Sequence, residues 1–271
     1  EAIVNGPFCA DFDREYGAHF IKLLENSLLV QDARIIGDLV RESALSVAYS
    51  KAAAACKTEF RGETCNFYGL LKHMESTDRA ERREAFEKWA ALYEAAAPEL
   101  DRIYDELIAV RADMAEKLGF ESYTALAYRN RQRLDYTPEH VEKFREQVRT
   151  VVTPAVSKML EAQRRRLGVD KLRYYDESLV FPGGNADPAG SKDDMLKAAS
   201  EMYSALSPET KEFFDFMTEH ELFDLETRPG KHLGGYCTSL PAYKAPFIFS
   251  NFNGTSADVD VLTHEAGHAF Q

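Results

Sequence analysis

The chain has 271 residues, of which 45% are hydrophobic and 29% are charged, and its formal net charge is -12 at pH 7. This composition is typical of a folded globular protein with a sizeable core, and it excludes an intrinsically disordered chain. No apolar run approaches the roughly 18 residues that would cross a bilayer, and an acidic chain is a poor binder of nucleic acid, which needs clustered Lys and Arg. We therefore expect neither a membrane span nor a nucleic-acid partner.

The first four fifths of the chain carry a helical pattern almost throughout, from about residue 13 to residue 225. The clearest helix covers residues 76–120, where Phe86, Trp89 and Tyr93 recur at three- and four-residue spacing among charged residues. Pro98 is predicted to kink or split this helix, because proline removes a helix hydrogen bond. Gly119 is predicted to end it.

Three more helix starts and one loop are signalled further along the chain. Thr137 and Ser207 each precede a proline, which suits the first position of a helix, and Ser191 with Asp194 has the spacing of a capping box. Residues 181–190, with three glycines and two prolines, are predicted to be a loop.

The character of the chain changes near residue 228, where Gly, Pro and aromatic residues replace the helical pattern. Residues 235–239 and 247–252 are predicted to be short strands joined by a turn that contains proline. A new helix is then predicted over residues 255–271, beginning at a Thr-Ser pair that can cap it. The sequence therefore predicts a small sheet followed directly by a last helix.

The last helix carries the pattern H-E-x-x-H at His264, Glu265 and His268. On a helix the two histidines lie one turn apart and can direct an imidazole nitrogen at one zinc ion, while Glu265 can reach a water bound to that ion. A metal lowers the pKa of bound water to about 7, so a carboxylate can take its proton at neutral pH and later deliver it to a departing amine. The pattern predicts zinc-dependent amide hydrolysis with Glu265 as general base.

Two other interpretations remain open from the residues alone. The protein could be a helical binding or scaffold protein in which the metal motif is incidental or decayed. It could also be a metal hydrolase that acts on something other than peptides. The opposite side of the last helix favours a packed position, because Val259, Leu262, Ala266 and Phe270 form one apolar side that is predicted to face the core.

The two most distinctive stretches, "RPGKHLGGYCTSLPAYKAPFIFSNFNGTSADVDVLTHEAGHAFQ" and "LGFESYTALAYRNR", resemble the oligoendopeptidase F branch of the thimet-oligopeptidase-like (M3) zinc metallopeptidases. The resemblance covers at least residues 119–134 and 228–271. It implies a mainly α, multi-helix zincin-type catalytic domain that encloses a deep channel, with a small sheet next to the metal-motif helix. It also implies zinc, a cytoplasmic setting and cleavage of short unstructured oligopeptides, with His264 and His268 as zinc ligands and Glu265 as general base.

The same resemblance implies that the chain is a fragment. In the family the third zinc ligand is a Glu on a later helix, followed by a His and a Tyr that stabilise the transition state, and all of these would lie beyond Gln271. We therefore expect one catalytic domain without its C-terminal part, comprising a helical region (1–227), the small sheet (228–254) and the metal-motif helix (255–271). This chain alone is expected to lack peptidase activity and to need the C-terminal remainder as its partner.

The strand candidate "PFIFSNFNG", which leads into the metal-motif helix, is the predicted substrate-binding element. A peptide would bind as an extra strand at the edge of the sheet, with Ser250 and Asn251 as its contacts. The alternative is that these two residues only end the strand and shape the turn.

The cysteine pattern bears on the compartment. The four cysteines show no C-x-x-C pairing, and a chain of this length does not need disulfides for stability. We expect reduced thiols and a cytoplasmic location.

Overall fold

The computed structural model describes residues 1–271 and is mainly helical, as the sequence predicts. The helices are α1 Cys9–Tyr16, α2 Ala18–Val30, α3 Ile36–Ala54, α4 Phe67–His73, α5 Arg79–Leu118, α6 Tyr123–Asn130, α7 Pro138–Gln147, α8 Thr153–Leu167, α9 Lys192–Leu206, α10 Pro208–Glu219 and α11 Ala257–Phe270. The strands are β1 Thr58–Phe60, β2 Glu63–Cys65, β3 Phe223–Glu226, β4 Tyr236–Leu240 and β5 Ala245–Phe252. None of the helices combines the length and the apolar character needed to cross a membrane.

Helix α5 corrects the prediction of a split at Pro98, because it runs unbroken from Arg79 to Leu118 with the proline inside it. Buried side chains such as Ile103 and Val110 follow Pro98 along the helix. Their packing outweighs the single backbone hydrogen bond that a proline removes. Gly119 ends the helix as predicted, with φ of 79°.

The other predicted helix boundaries are confirmed. Helices α7 and α10 begin at the prolines that follow Thr137 and Ser207. Helix α9 begins after Ser191, whose backbone N–H donates to the Asp194 carboxylate at 2.7 Å while the Asp194 N–H donates to the Ser191 hydroxyl at 3.3 Å. No helix or strand occurs within residues 181–190.

The residues cluster into two compact units, the first of which comprises residues 1–49 and 99–158. Its buried core includes Ile35, Met114 and Leu126. An ion pair also joins α5 to α3 in this unit, since the Arg111 guanidinium donates to the Glu42 carboxylate at 2.7 Å. This unit is entirely helical in its regular structure.

The second unit comprises residues 50–98 and 159–271 and contains both sheets. Its smaller sheet is the β1–β2 hairpin, in which Phe60 pairs with Glu63 around Arg61 and Gly62. These two turn residues have φ of 52° and 86°, which suits the mirror-image turns that connect two-residue hairpins. The helical pattern of the sequence concealed this hairpin because each strand has only three residues.

The larger sheet has the strand order β3-β5-β4, with β3 parallel and β4 antiparallel to the central strand β5. Strands β4 and β5 confirm the two predicted strands, whereas β3 precedes the predicted start of the sheet at residue 228. Helices α9, α10 and α11 share a hydrophobic core with this sheet. The buried residues of that core include Tyr203, Phe214, Met217, Leu225, Ile248, Leu262 and Ala266.

A fully buried carboxylate, that of Asp176, holds the beginning of α5 in the second unit. Arg79 donates to it at 3.1 and 2.8 Å, Arg82 donates at 2.9 Å, and the Arg173 backbone N–H donates at 3.0 Å. Burial would raise the pKa of Asp176, but the hydrogen bonds from Arg79, Arg82 and the Arg173 amide together hold that pKa below its usual value. We refer to Asp176, Arg79, Arg82 and Arg173 as the Asp176 cluster.

Candidate metal and catalytic site

Helix α11 begins at a tight turn that connects it to β5. The buried Asp258 carboxylate accepts hydrogen bonds from the backbone N–H groups of Asn253 (3.1 Å) and Gly254 (2.7 Å). Burial raises the pKa of Asp258, although these two amide hydrogen bonds oppose the shift. The Thr255 hydroxyl donates to the Asn253 side chain at 2.8 Å and does not cap the helix. Asp258 therefore sets the direction in which α11 leaves the sheet.

The inner side of α11 consists of Leu262 and Ala266, which are both buried in the core of the second unit. Val259 and Phe270, which the sequence placed on the same apolar side, are 43% and 48% exposed. The prediction of an apolar side is thus confirmed only for the middle of the helix. A helix so anchored presents its remaining residues in a defined direction.

The imidazole rings of His264 and His268 converge on one point at the exposed side of α11. Their Nε2 atoms are 3.1 Å apart and their ring planes are 85° from parallel. Two nitrogen ligands of a tetrahedral zinc ion, with bonds of about 2.0–2.1 Å, lie roughly 3.4 Å apart. The two side chains therefore have the separation that a shared zinc ion requires.

The Glu265 carboxylate lies beside this pair and faces a groove of about 640 Å³ that it lines together with His268 and β4. Glu265 is only 8% exposed, yet it makes no hydrogen bond or ion pair within the chain. The Cys237 thiol lies on β4, and its pKa is raised by burial and, to a smaller extent, by the negative charge of Glu265. An unpaired carboxylate at the groove is free to accept a proton from water.

The 271 residues provide no third ligand for the two histidines. The only group of three His, Cys, Asp or Glu ligand atoms that lie within 4.8 Å of one another consists of Glu63, Cys65 and His73, which excludes the motif helix. His232 shortly precedes β4 in the chain. It is exposed, and its ring lies 6.4 Å from that of Phe249. The structure brings two imidazoles and one carboxylate together here.

The expected substrate strand, β5, is the central strand of its sheet and has no free edge. That part of the prediction is wrong, because β3 and β4 pair with β5 on both sides. Ser250 and Asn251 are accordingly 3% and 6% exposed, and the Asn251 side chain donates to the carbonyl groups of His232 (2.9 Å) and Gly234 (2.7 Å). Neither residue therefore lies on an edge strand, and the two edge strands of this sheet are β3 and β4.

Two tyrosines that the sequence did not single out hold this site in position. The Tyr68 hydroxyl accepts from the Gly234 N–H at 2.9 Å, and the Tyr68 carbonyl accepts from the Asn253 side chain at 3.0 Å. The Tyr203 hydroxyl donates to the Thr263 carbonyl of α11 at 3.4 Å. Their partners are 60 or more positions away along the chain, so no local pattern could have identified them.

Comparisons with known proteins show which family of proteins this chain resembles. The model of peptidase family M3 matches residues 72–180. A crystal structure assigned to oligoendopeptidase F is 46% identical with a TM-score of 0.96, and the match covers 99% of this chain and 48% of that one. A second, from Bacillus anthracis str. Ames, is 43% identical with a TM-score of 0.95, covering 99% and 49%.

A curated relative, the chromosomal oligoendopeptidase F of Lactococcus lactis subsp. cremoris, is 24% identical over 202 residues, which are 74% of this chain and 32% of the relative. The chain thus spans about half the length of the solved relatives and about a third of the curated one.

Proposed function

Because the chain belongs to peptidase family M3, in its oligoendopeptidase F branch, we propose that α11 carries part of the active site of a zinc-dependent oligopeptidase. The observation that carries this proposal is the convergence of the His264 and His268 Nε2 atoms at 3.1 Å, beside the unpaired Glu265 carboxylate. His264 and His268 would hold the zinc ion through these nitrogens. Zinc, when bound, supplies a water of lowered pKa and polarises the carbonyl of the scissile amide.

Glu265 acts as the general base in this proposal. It takes the proton of the attacking water and later delivers that proton to the departing amine. No cation within the chain pairs with the Glu265 carboxylate, so nothing competes for the oxygen that must accept the proton. Glu265 and His268 both line the groove beside β4, which supports a position of Glu265 next to a peptide bound there.

The proposed substrate is an extended oligopeptide that binds along the free edge of β4. This edge presents unpaired backbone N–H and C=O groups, because β4 pairs only with β5. Backbone hydrogen bonds of this kind recognise an extended chain with little dependence on its side chains. Asn251 supports this edge indirectly, because its side chain donates hydrogen bonds to the carbonyl groups of His232 and Gly234, which precede β4. Short, unstructured peptides can adopt this geometry, whereas folded proteins cannot.

The third zinc ligand must come from outside these 271 residues if the site is to be complete. The solved relatives are about twice as long as this chain, which leaves room for such a ligand and for the groups that stabilise the transition state. We therefore include the C-terminal remainder of the domain as a partner of this chain and propose that these residues alone are inactive. The cytoplasm stays the predicted location.

The test compares the 271-residue chain with a chain of the length of its solved relatives. Zinc content and cleavage of quenched decapeptides are measured for both, with a native folded protein as a second substrate. Stoichiometric zinc and peptide cleavage in the longer chain only, with the folded protein resistant, is the expected result. A longer chain that neither retains zinc nor cleaves peptides would favour the scaffold alternative, and one that binds zinc but hydrolyses only non-peptide substrates would favour a different hydrolase.

A further inference from the structure

A second group of metal-ligand side chains lies where the β1–β2 hairpin meets α4 and the start of α5. Glu63 and Cys65 are alternate residues of β2 and therefore lie on the same face of that strand. His73 is the last residue of α4. One ligand atom from each of these three side chains lies within 4.8 Å of the other two.

The His73 ring is oriented as in many metal sites. Its Nδ1 lies 2.7 Å from the Glu81 carboxylate, whose second oxygen accepts from the Ser76 hydroxyl at 3.0 Å. Histidines that bind metals usually donate their other ring N–H to a carboxylate in this way, which fixes the tautomer and leaves the opposite nitrogen free as a ligand. Here that opposite nitrogen, Nε2, is buried and has no hydrogen-bond partner.

An unpaired buried acceptor has a free-energy cost that a well-packed protein normally avoids. The Cys65 thiol next to it is nearly as buried, at 3% exposed. A bound cation would give the His73 nitrogen a partner and would bind the Cys65 sulfur as a thiolate.

We propose that Glu63, Cys65 and His73 form a zinc-binding site apart from the motif helix, with Glu81 as the positioning residue of His73. Thiolate, imidazole and carboxylate together suit zinc better than the harder Mg²⁺ and Ca²⁺, and water would complete the tetrahedron. Ligand atoms of a zinc site lie about 3.3–3.8 Å apart, so the group must contract by about 1 Å. The exposed Glu63 side chain can supply much of that movement by a change of rotamer. Zinc bound here would fasten the hairpin to α4.

The test uses Co²⁺ as the probe, because a thiolate ligand gives Co²⁺ an intense near-ultraviolet charge-transfer absorption that histidine and carboxylate ligands do not produce. The 271-residue chain carrying His264→Ala and His268→Ala, which removes the motif ligands, is titrated with Co²⁺ and then with Zn²⁺. We expect the thiolate absorption to saturate near one equivalent and to disappear as Zn²⁺ displaces Co²⁺. Absence of this absorption in the chain that carries only His264→Ala and His268→Ala would overturn the proposal.

Variants then locate the site. Cys65→Ser in the same background is expected to lose the absorption, whereas the matched control Cys237→Ser is expected to retain it. Cys237 is the control because it is a half-buried free cysteine that lies near Glu265 rather than near His73. Retention of the absorption in Cys65→Ser, or its loss in Cys237→Ser, would overturn the assignment.

A positioning variant provides a second readout that does not depend on removing the thiol. Glu81→Gln is expected to weaken Co²⁺ affinity by about 10–100-fold while preserving the absorption at saturation. Circular dichroism of each variant confirms folding, and if Cys65→Ser does not fold, His73→Gln takes its place with loss of saturable binding expected. Unchanged affinity in both Glu81→Gln and His73→Gln would mean that His73 is not a ligand.

Discussion

The Asp176 cluster and the metal motif are both polar sites of the second unit, but their carboxylates differ in how many hydrogen-bond donors surround them. Asp176 is fully buried, and its two oxygens accept hydrogen bonds from Arg79, Arg82 and the Arg173 amide. Glu265 is nearly as buried, yet it has no partner within the chain. The carboxylate that stabilises the fold is surrounded by donors, whereas the carboxylate proposed as general base has none.

The difference predicts which property each site governs. Removing the carboxylate from a buried cluster of charged groups leaves an uncompensated charge and should lower stability. Removing a group from the open site leaves no buried partner behind and should lower activity or metal binding instead. The following experiments test this contrast, beginning with the largest expected effect.

His264→Ala or His268→Ala, in the enzyme of full family length, is expected to abolish both zinc binding and peptide hydrolysis, because each removes one of the two converging imidazoles. The metal-free variants should unfold with free energies within about 0.5 kcal/mol of the metal-free parent, since both side chains are exposed. Zinc analysis, peptide turnover and urea unfolding measure these outcomes, with His232→Ala as the exposed control. Stoichiometric zinc in either variant would contradict the ligand assignment.

Glu265→Gln in the same enzyme is expected to reduce peptide turnover by about 10²–10⁴-fold while leaving zinc bound, because the ligands persist and only the proton acceptor is lost. Asp260→Asn, an exposed acid on the same helix, is the matched control and should retain activity. Steady-state kinetics and zinc content measured on the same samples decide the matter. Turnover near that of the parent would refute the role of general base.

Asp176→Ala in the 271-residue chain is expected to lower the free energy of unfolding by about 3–5 kcal/mol, because it leaves the buried Arg82 guanidinium without its carboxylate. Asp193→Ala, whose side chain is 85% exposed, should change stability little. Urea unfolding followed by circular dichroism gives both values. A loss of less than about 1 kcal/mol for Asp176→Ala would show that the cluster does not hold the fold.

Leu262→Ala is expected to lower the free energy of unfolding by about 2–5 kcal/mol, because it opens a cavity where α11 packs on the sheet. Val259→Ala lies one turn earlier on the same helix, and its side chain is nearly half exposed, so its effect should be clearly smaller. The same urea measurements compare the two variants. Equal losses of unfolding free energy would contradict the conclusion that Leu262, and not Val259, lies on the inner side of α11.

The acid dependence of stability offers the smallest and most specific comparison. The pKa of Asp176 is lower in the folded chain than in the unfolded chain, so its contribution is fully present above about pH 4 and is lost as pH falls through the folded-state pKa. The stability difference between the parent and Asp176→Asn should therefore shrink as pH is lowered from neutral. A difference that is constant or grows toward acid pH would reverse the sign of this linkage.

Much of the candidate site was predictable from local sequence patterns. The spacing of His264 and His268 requires only that the segment be helical for the two imidazoles to meet, and helix periodicity and turn residues predicted that segment. Strands β4 and β5 were also recognisable from local pattern, because turn residues flank two short runs that contain aromatic residues. These features depend on neighbours a few positions apart.

Tertiary structure alone decided how these elements combine. Whether β5 lies at the centre or at the edge of its sheet depends on β3 and β4, and nothing within β5 records that order. The continuity of α5 through Pro98 depends on packing that outweighs a local penalty. The approach of Asp176 to Arg79 joins segments 97 positions apart, whose contact becomes favourable only once the hydrophobic core has formed, and such a long-range pairing leaves no periodic trace in the chain.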